Sequence, residues 1–233
     1  MSAANEKGSK AKKKAAEESQ EARRERAAEI ARRLADEYPE TGISLDWSNP
    51  LELMVSTVLS AQCTDERVRQ VTQDLFQEYT SAEDYADADR ADLEEAIRST
   101  GFYRNKAKYI QEACRKIRDE HGGEVPDTMD ELLTLPGVAR KTANVILSNA
   151  FGKNEGVVVD THVKRVSRRL GLASSSNPEK IERSLMEVLP KNQWRTFAWR
   201  LILHGRSVCH GRKDPECDRC VLSDLCPSAF GFG

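Results

Sequence analysis

Apolar residues recur three and four positions apart through most of this 233-residue chain, the period of α-helices that bury one face. Leu51, Met54, Val55, Val58 and Leu59 share one face, and Val68, Val71, Leu75, Phe76 and Tyr79 share a second. Ala107, Ile110, Cys114 and Ile117 share a third, which makes Cys114 a small core residue. An earlier, narrower stripe of Ala27, Ile30, Ala31 and Leu34 ends near Tyr38-Pro39. Thr128 and Glu131 fit a capping box that opens a short helix through Leu133. Further helices are expected over 161–170, 178–188 and 194–204. Only 156–159 reads as extended, and one such run makes no sheet. The fold class expected is all-α, with no solenoid repeat.

Charge is segregated along this helical frame. The net charge is -2, with 32% charged residues, which by itself gives little reason to expect a polyanionic partner. Yet Arg140, Lys141, Lys153, Lys164, Arg165, Arg168 and Arg169 crowd one stretch against only Glu155 and Asp160. Residues 83–95 are the opposite, with seven acids against Arg90. Such a split suits one anion-binding face and one solvating face, and clustered surface charge gives the same pattern. Residues 1–24 begin with Lys7, Lys10, Lys12, Lys13 and Lys14 against Glu6 and carry almost no apolar surface. They are expected to form a mobile basic tail that grades into a helix. No run of about 18 apolar residues or secretory h-region is present, so no membrane span is expected and a cytoplasmic location follows.

The stretch "LPGVARKTANVIL", 135–147, places a Pro-Gly turn before a helix whose first turn carries Arg140 and Lys141. With the short helix before it, this makes a helix-hairpin-helix. Gly137 permits the turn, and the unpartnered amides at the second helix's start, from Ala139 and its neighbours, favour an anion such as a DNA phosphate. Pro-Gly between helices also serves as a plain connector. Cations usually sit at the other end of a helix. Lys141, beside Arg140 at the positive end, meets two influences that disfavour its charged form and favour an amine nucleophile. Asp160, in "VVVDTHVKRV", precedes the next helix. It suits an N-cap, and it equally suits a carboxylate beside a sugar that develops positive charge as it loses its base.

Six cysteines include four packed between Cys209 and Cys226, spaced C-x7-C-x2-C-x5-C at Cys209, Cys217, Cys220 and Cys226. Without a secretory signal, that density points to metal rather than disulfides. The spacing admits tetrahedral zinc or an iron-sulfur cluster and does not decide between them. His210, Arg212 and Lys213 offer cations in the first loop, for phosphate.

Together, "LPGVARKTANVIL", "VDTHVKRV", the cysteine tail, "LSAQCTDERV", "STGFYRNKA" and "WRLILHGRSVC" resemble the endonuclease III family of helix-hairpin-helix DNA glycosylases over about 51–226. The resemblance implies a bifunctional base-excision repair enzyme that removes oxidised pyrimidines and cleaves the abasic strand by β-elimination. Lys141 would be the Schiff-base nucleophile and Asp160 the catalytic carboxylate. The four cysteines would hold a [4Fe-4S] cluster, with zinc as the alternative. Gln62 and Phe102 would fill the gap left by the extruded base, although Phe102 also reads as a core aromatic. The partner implied is double-stranded DNA with a damaged pyrimidine or abasic site, bound by a monomer (nucleoid-associated if the source is prokaryotic). Two helical domains are expected: 43–153 with the hairpin and wedge loops, and 25–42 joined to 154–233 with the cluster, the active site lying in the cleft between.

Two positions depart from the family pattern. The first cysteine gap has seven residues where six is common, and Ala139 replaces the hairpin's second glycine. Two rivals remain. A monofunctional glycosylase lacks a lysine at position 141, so Lys141 argues against it. A DNA-binding module with a redox-sensing cluster would bind without cleaving.

Overall fold

The computed structural model describes residues 18–231. It contains α1 (Gln20–Glu37), α2 (Pro50–Leu59), α3 (Asp65–Glu78), α4 (Ala82–Asp87), α5 (Arg90–Ala96), α6 (Tyr103–Glu120), α7 (Met129–Leu132), α8 (Arg140–Ala150), α9 (Thr161–Arg169), α10 (Pro178–Val188) and α11 (Trp194–Ser207). No strand occurs among the described residues, and the all-α reading holds. Val157, Val158 and Val159 are buried without pairing into a sheet. The basic tail expected over 1–24 lies outside the described residues up to position 17; from Gln20 onward that stretch is helix, started by Ser19 accepting from Ala22 N.

The chain forms two compact units, one spanning Ile43–Glu155 and the other joining the segment up to Gly42 with the chain from Gly156. In the first, α2 is buried from Leu53 to Leu59. Asn49 caps it by accepting from Glu52 N at 2.9 Å, and Pro50 sits at a first-turn position where a missing N–H does no harm. Helix α6 turns Ala107, Ile110, Cys114 and Ile117 inward, as the spacing predicts, and buries Ala113 beside them. Helices α4 and α5 fill the acidic stretch that reads from sequence as a solvating face. Each has less than two turns, too few to show a period. Their caps were the available signal: Ser81 and Asp84 form a complete capping box, and Asp89 accepts from Ala91 N and Asp92 N. The Thr128 box is different. Thr128 accepts from Glu131 N, but the Glu131 carboxylate takes the Thr128 hydroxyl.

In the second unit, α1 is highly charged and holds on through Ala27, Ile30, Ala31 and Leu34. Its arginines close over the turn after α9 and over the C-terminal loop. Arg26 donates to the Leu170 carbonyl at 2.6 Å, Arg33 to the Val221 carbonyl at 2.9 Å and to Asp224, and Arg23 to the Leu172 carbonyl. Helix α11 runs a turn beyond the expected end at His204, through Gly205. A Cβ on Gly205 would stand 3.0 Å from His162 Cβ and 3.1 Å from Arg165 Nη2. Gly205 is thus the close-packing point between α11 and α9.

Candidate active site and thiol pocket

Buried Leu132, Leu135 and Val138 fix the hairpin between α7 and α8 from beneath. Val138 N donates to the Leu135 carbonyl at 3.1 Å, closing the turn over Pro136 and Gly137. Gly137 has φ 79, and a Cβ there would lie 2.7 Å from Tyr109 Cβ. Backbone conformation and close approach both demand glycine, and the neighbour that requires it is a side chain of α6. The second expected glycine position, Ala139, is the N-cap of α8 at φ -90, ψ 169, with no side-chain cap. Arg140 and exposed Lys141 occupy the first turn, while Ala143–Ser148 are buried beneath them.

Asp160 caps α9 through Oδ1, which accepts from Val163 N at 2.8 Å. It is half-buried, behind the three buried valines that precede it and above buried Val163 and Val166. Two residues on, the His162 imidazole is driven toward its neutral form chiefly by burial, against the pull of Asp160. His162 Nδ1 lies 3.1 Å from Arg165 Nη2, and Arg165 donates on to the carbonyls of Gly205 at 2.8 Å and Cys209 at 3.1 Å. The sequence reading did not single out His162; the only signal was its place in "VDTHV".

Gln62 lies exposed in the turn after α2 with φ 54, and Phe102 starts α6 with φ 50. The left-handed region strains a non-glycine residue by roughly 1–3 kcal/mol, so both loops hold an unfavourable backbone. Phe102 is 63% exposed. The core-aromatic reading is therefore wrong, because the residue stands largely in solvent.

Cys209, Cys217, Cys220 and Cys226, all free thiols, line one small pocket with Val166, Leu170 and His204 among its walls. Arg169 Nη1 donates to Cys209 Sγ at 3.2 Å and to the His210 carbonyl at 2.6 Å, and Cys226 Sγ donates to the Arg169 carbonyl at 3.3 Å. Burial pushes the Cys226 thiol up to about 11 and raises that of Cys220. His204, 3.5 Å from Cys220 Sγ, is pushed down to about 4 by burial and stays neutral. Four thiols facing one pocket that opposes bare thiolates fit a cationic metal centre, which would stabilise the ionised sulfurs. Among the described residues, no three His, Cys, Asp or Glu side chains are grouped so as to hold a single metal ion.

The longer first cysteine loop is organised by Glu216, which the sequence reading passed over. Its carboxylate receives His210 at 2.9 Å, Lys213 at 3.2 Å and Arg219 at 3.0 Å. Arg212 and Lys213 are both exposed on this loop, although Lys213 is partly neutralised by that ion pair.

Residues 55–191 match the HhH-GPD superfamily base excision DNA repair protein family. The chain is 57% identical over 207 residues to endonuclease III of Synechocystis sp., covering 89% of this chain and 94% of that protein. It is 46% identical over 195 residues to endonuclease III of Bacillus subtilis, covering 83% and 88%. It is also similar to the solved structure of a trapped endonuclease III–DNA covalent intermediate, with a TM-score of 0.82 and 43% identity, covering 87% and 95%. The chain belongs to the endonuclease III family within the HhH-GPD superfamily of base excision DNA repair proteins.

Proposed function

We propose that this base-excision glycosylase acts on duplex DNA bearing oxidised pyrimidines or abasic sites, with Lys141 as nucleophile and Asp160 as its carboxylate partner. The observation that carries the reading is the start of α8. A hairpin rigidly seated on Leu135 and Val138 presents uncapped first-turn amides beside Lys141. A helix start without an anionic cap is available to a phosphate, and the lysine next to it meets the nucleotide that the phosphate positions. The capture of a 43% identical relative as a covalent DNA intermediate supports the same chemistry.

In this reading the Lys141 nitrogen lone pair attacks C1′ of the damaged nucleotide, and the base departs with the C1′–N bonding electrons and a proton. The Asp160 carboxylate stabilises the positive sugar electrostatically, receives the proton that the amine sheds and passes it to the departing base. Ring opening gives an imine between Lys141 and C1′. Loss of a C2′ proton then drives β-elimination: the C3′–O bond breaks, its electrons leave on the phosphate, and the strand is cut on the 3′ side. Water finally hydrolyses the imine and frees Lys141.

Cys209, Cys217, Cys220 and Cys226 would hold a [4Fe-4S] cluster, whose four-thiolate ligation suits this pocket. When bound, it would cross-link the C-terminal loop and could exchange an electron. The chain's own contribution there is positional. Arg165 ties the helix that begins at Asp160 to the Cys209 carbonyl, and Arg169 reaches the Cys209 sulfur. Gln62 and Phe102 would enter the space vacated by the base, while Arg140, the amides of Gly137 and Ala139, Arg212 and Lys213 would contact phosphate.

The test is incubation of the holoprotein with an abasic duplex. Strand nicking that leaves a 3′ elimination product and yields a borohydride-trapped adduct is expected. Binding without nicking would favour the non-enzymatic reading. The purified protein should contain iron and be yellow-brown; colourless protein with stoichiometric zinc would overturn the cluster assignment.

A further inference from the structure

Two strained loops of the 43–155 unit share one anchor. Lys106 in α6 is only 4% exposed, a rare state for a lysine. Its ammonium donates to the Leu59 carbonyl at 2.7 Å and to the Thr100 carbonyl at 2.9 Å. Leu59 ends α2, three residues before Gln62. Thr100 ends a 3-10 turn, two residues before Phe102. Each loop then enters the left-handed region at a non-glycine residue, Gln62 and Phe102.

Burial alone does not account for this arrangement. Desolvation weakens the ammonium's hold on its proton, with Cys63 acting in the opposite direction, so a buried apolar side chain would serve the core better. What the ammonium provides is a bridge. The C-terminal carbonyls of α2 carry partial negative charge and lack partners inside the helix. One cation satisfies one of these and, at the same time, a carbonyl at the root of the other loop. Thr100 is itself fixed, 2% exposed, with its hydroxyl donating to the Ile97 carbonyl at 2.8 Å. The hydrogen bonds thus bind the roots of the two loops, while Gln62 and Phe102 project outward.

We propose that Lys106 is a positioning residue for base extrusion: by holding Leu59 and Thr100 on one ammonium, it sets the spacing at which Gln62 and Phe102 enter the duplex together. The inference rests on the glycosylase reading above. It separates the residues that fill the stack from the residue that keeps them in register.

The experiment compares excision of one oxidised pyrimidine from two duplexes, one with the base paired and one with it opposite a stable abasic analogue. Lys106→Met keeps the stem and removes both donors. With the paired base, excision should fall by about ten- to a hundredfold, the scale of an ångström-sized misplacement. Opposite the abasic analogue the base is already poorly held, and the loss should shrink to within about threefold. Phe102→Ala added to Lys106→Met should cost no more than the larger single loss, because both act through one step. Equal losses on the two duplexes, or multiplying losses in the double variant, would overturn the proposal. Lys106→Gln carries the same comparison if the methionine variant does not fold. Failure of both to fold would assign Lys106 to the core and overturn it too. Absence of excision by the unsubstituted holoprotein on either duplex would refute the glycosylase reading, and this inference with it.

Discussion

Helix α9 begins on Asp160, whose Oδ1 accepts from Val163 N at 2.8 Å, whereas α8 begins on Ala139, which has no side-chain oxygen to offer. Elsewhere among the described residues the first pattern prevails: Ser19, Asn49, Thr64, Ser81, Asp89, Thr128 and Asn177 all cap their helices. Among the described α-helices, the exceptions besides α8 are α6, which starts at left-handed Phe102, and α11, which continues directly from a 3-10 turn. Forgoing a cap costs roughly 0.5–2 kcal/mol, and cations in the first turn of α8 add to that. One helix start is finished by its own cap, and the other has no side-chain cap. In the proposed mechanism, the open start receives the phosphate beside Lys141, while the capped start gives Asp160 a fixed orientation for the positive sugar.

Lys141 separates the two helix starts most strongly. Lys141→Gln should remove strand nicking on abasic DNA altogether, while binding to an uncleavable abasic duplex survives and still weakens with added salt. Loss of binding in parallel with nicking would mean the lysine serves only as a phosphate contact.

At Asp160 the two roles separate. Asp160→Asn keeps a good cap and removes the charge, so thermal stability should hold while excision falls about 10²–10³-fold, the scale of a lost electrostatic group. Asp160→Ala should add a stability loss of about 1 kcal/mol. Excision by the asparagine variant near the unsubstituted rate would reduce Asp160 to a cap.

Closing the open start should have a smaller and opposite pair of effects. Ala139 is exposed and already has extended N-cap geometry. Ala139→Asp should therefore stabilise the protein by about 1 kcal/mol and weaken DNA binding several-fold, both measurable by unfolding and titration. Stabilisation without weaker binding would remove the open amides from the DNA contact.

The smallest effect concerns the unit that carries Asp160. Arg26 holds the Glu18 carboxyl below its ordinary 4.5. A depressed carboxyl stabilises the fold above the unfolded value, and that contribution is lost as pH falls through the lower folded value. Glu18→Gln should flatten the acid slope of stability below about pH 4.5 and leave stability unchanged in its pH dependence near neutrality.

Long amphipathic helices and the hairpin were legible because period and turn chemistry are local. The faces of α2 and α6, the bounds of α10 and the start of α8 all follow from spacing, Pro and Gly. Short α4 and α5 were hidden by their length and by the charge that dominates them. Phe102 and Lys106 reverse the usual rule, an aromatic outside and a lysine inside, so residue type misleads at both. Their explanation lies in contacts between segments: Lys106 reaches back to Leu59, 47 positions away. The same holds for Gly137, whose need for glycine comes partly from Tyr109, and for Glu216, which gathers His210, Lys213 and Arg219 only once the cysteine loop is folded. At the candidate site, motifs pointed to Lys141, Asp160 and the four thiols, while the residues that orient them required coordinates.

The most direct test of the central claim is the location of the covalent bond. The holoprotein is trapped on an abasic duplex with borohydride and digested, and the peptide that carries the nucleotide remnant is sequenced by mass spectrometry. The adduct is expected on the Lys141 side chain, at the open start of α8. An adduct on the N-terminal amine or on any other lysine, with Lys141 unmodified, would contradict it.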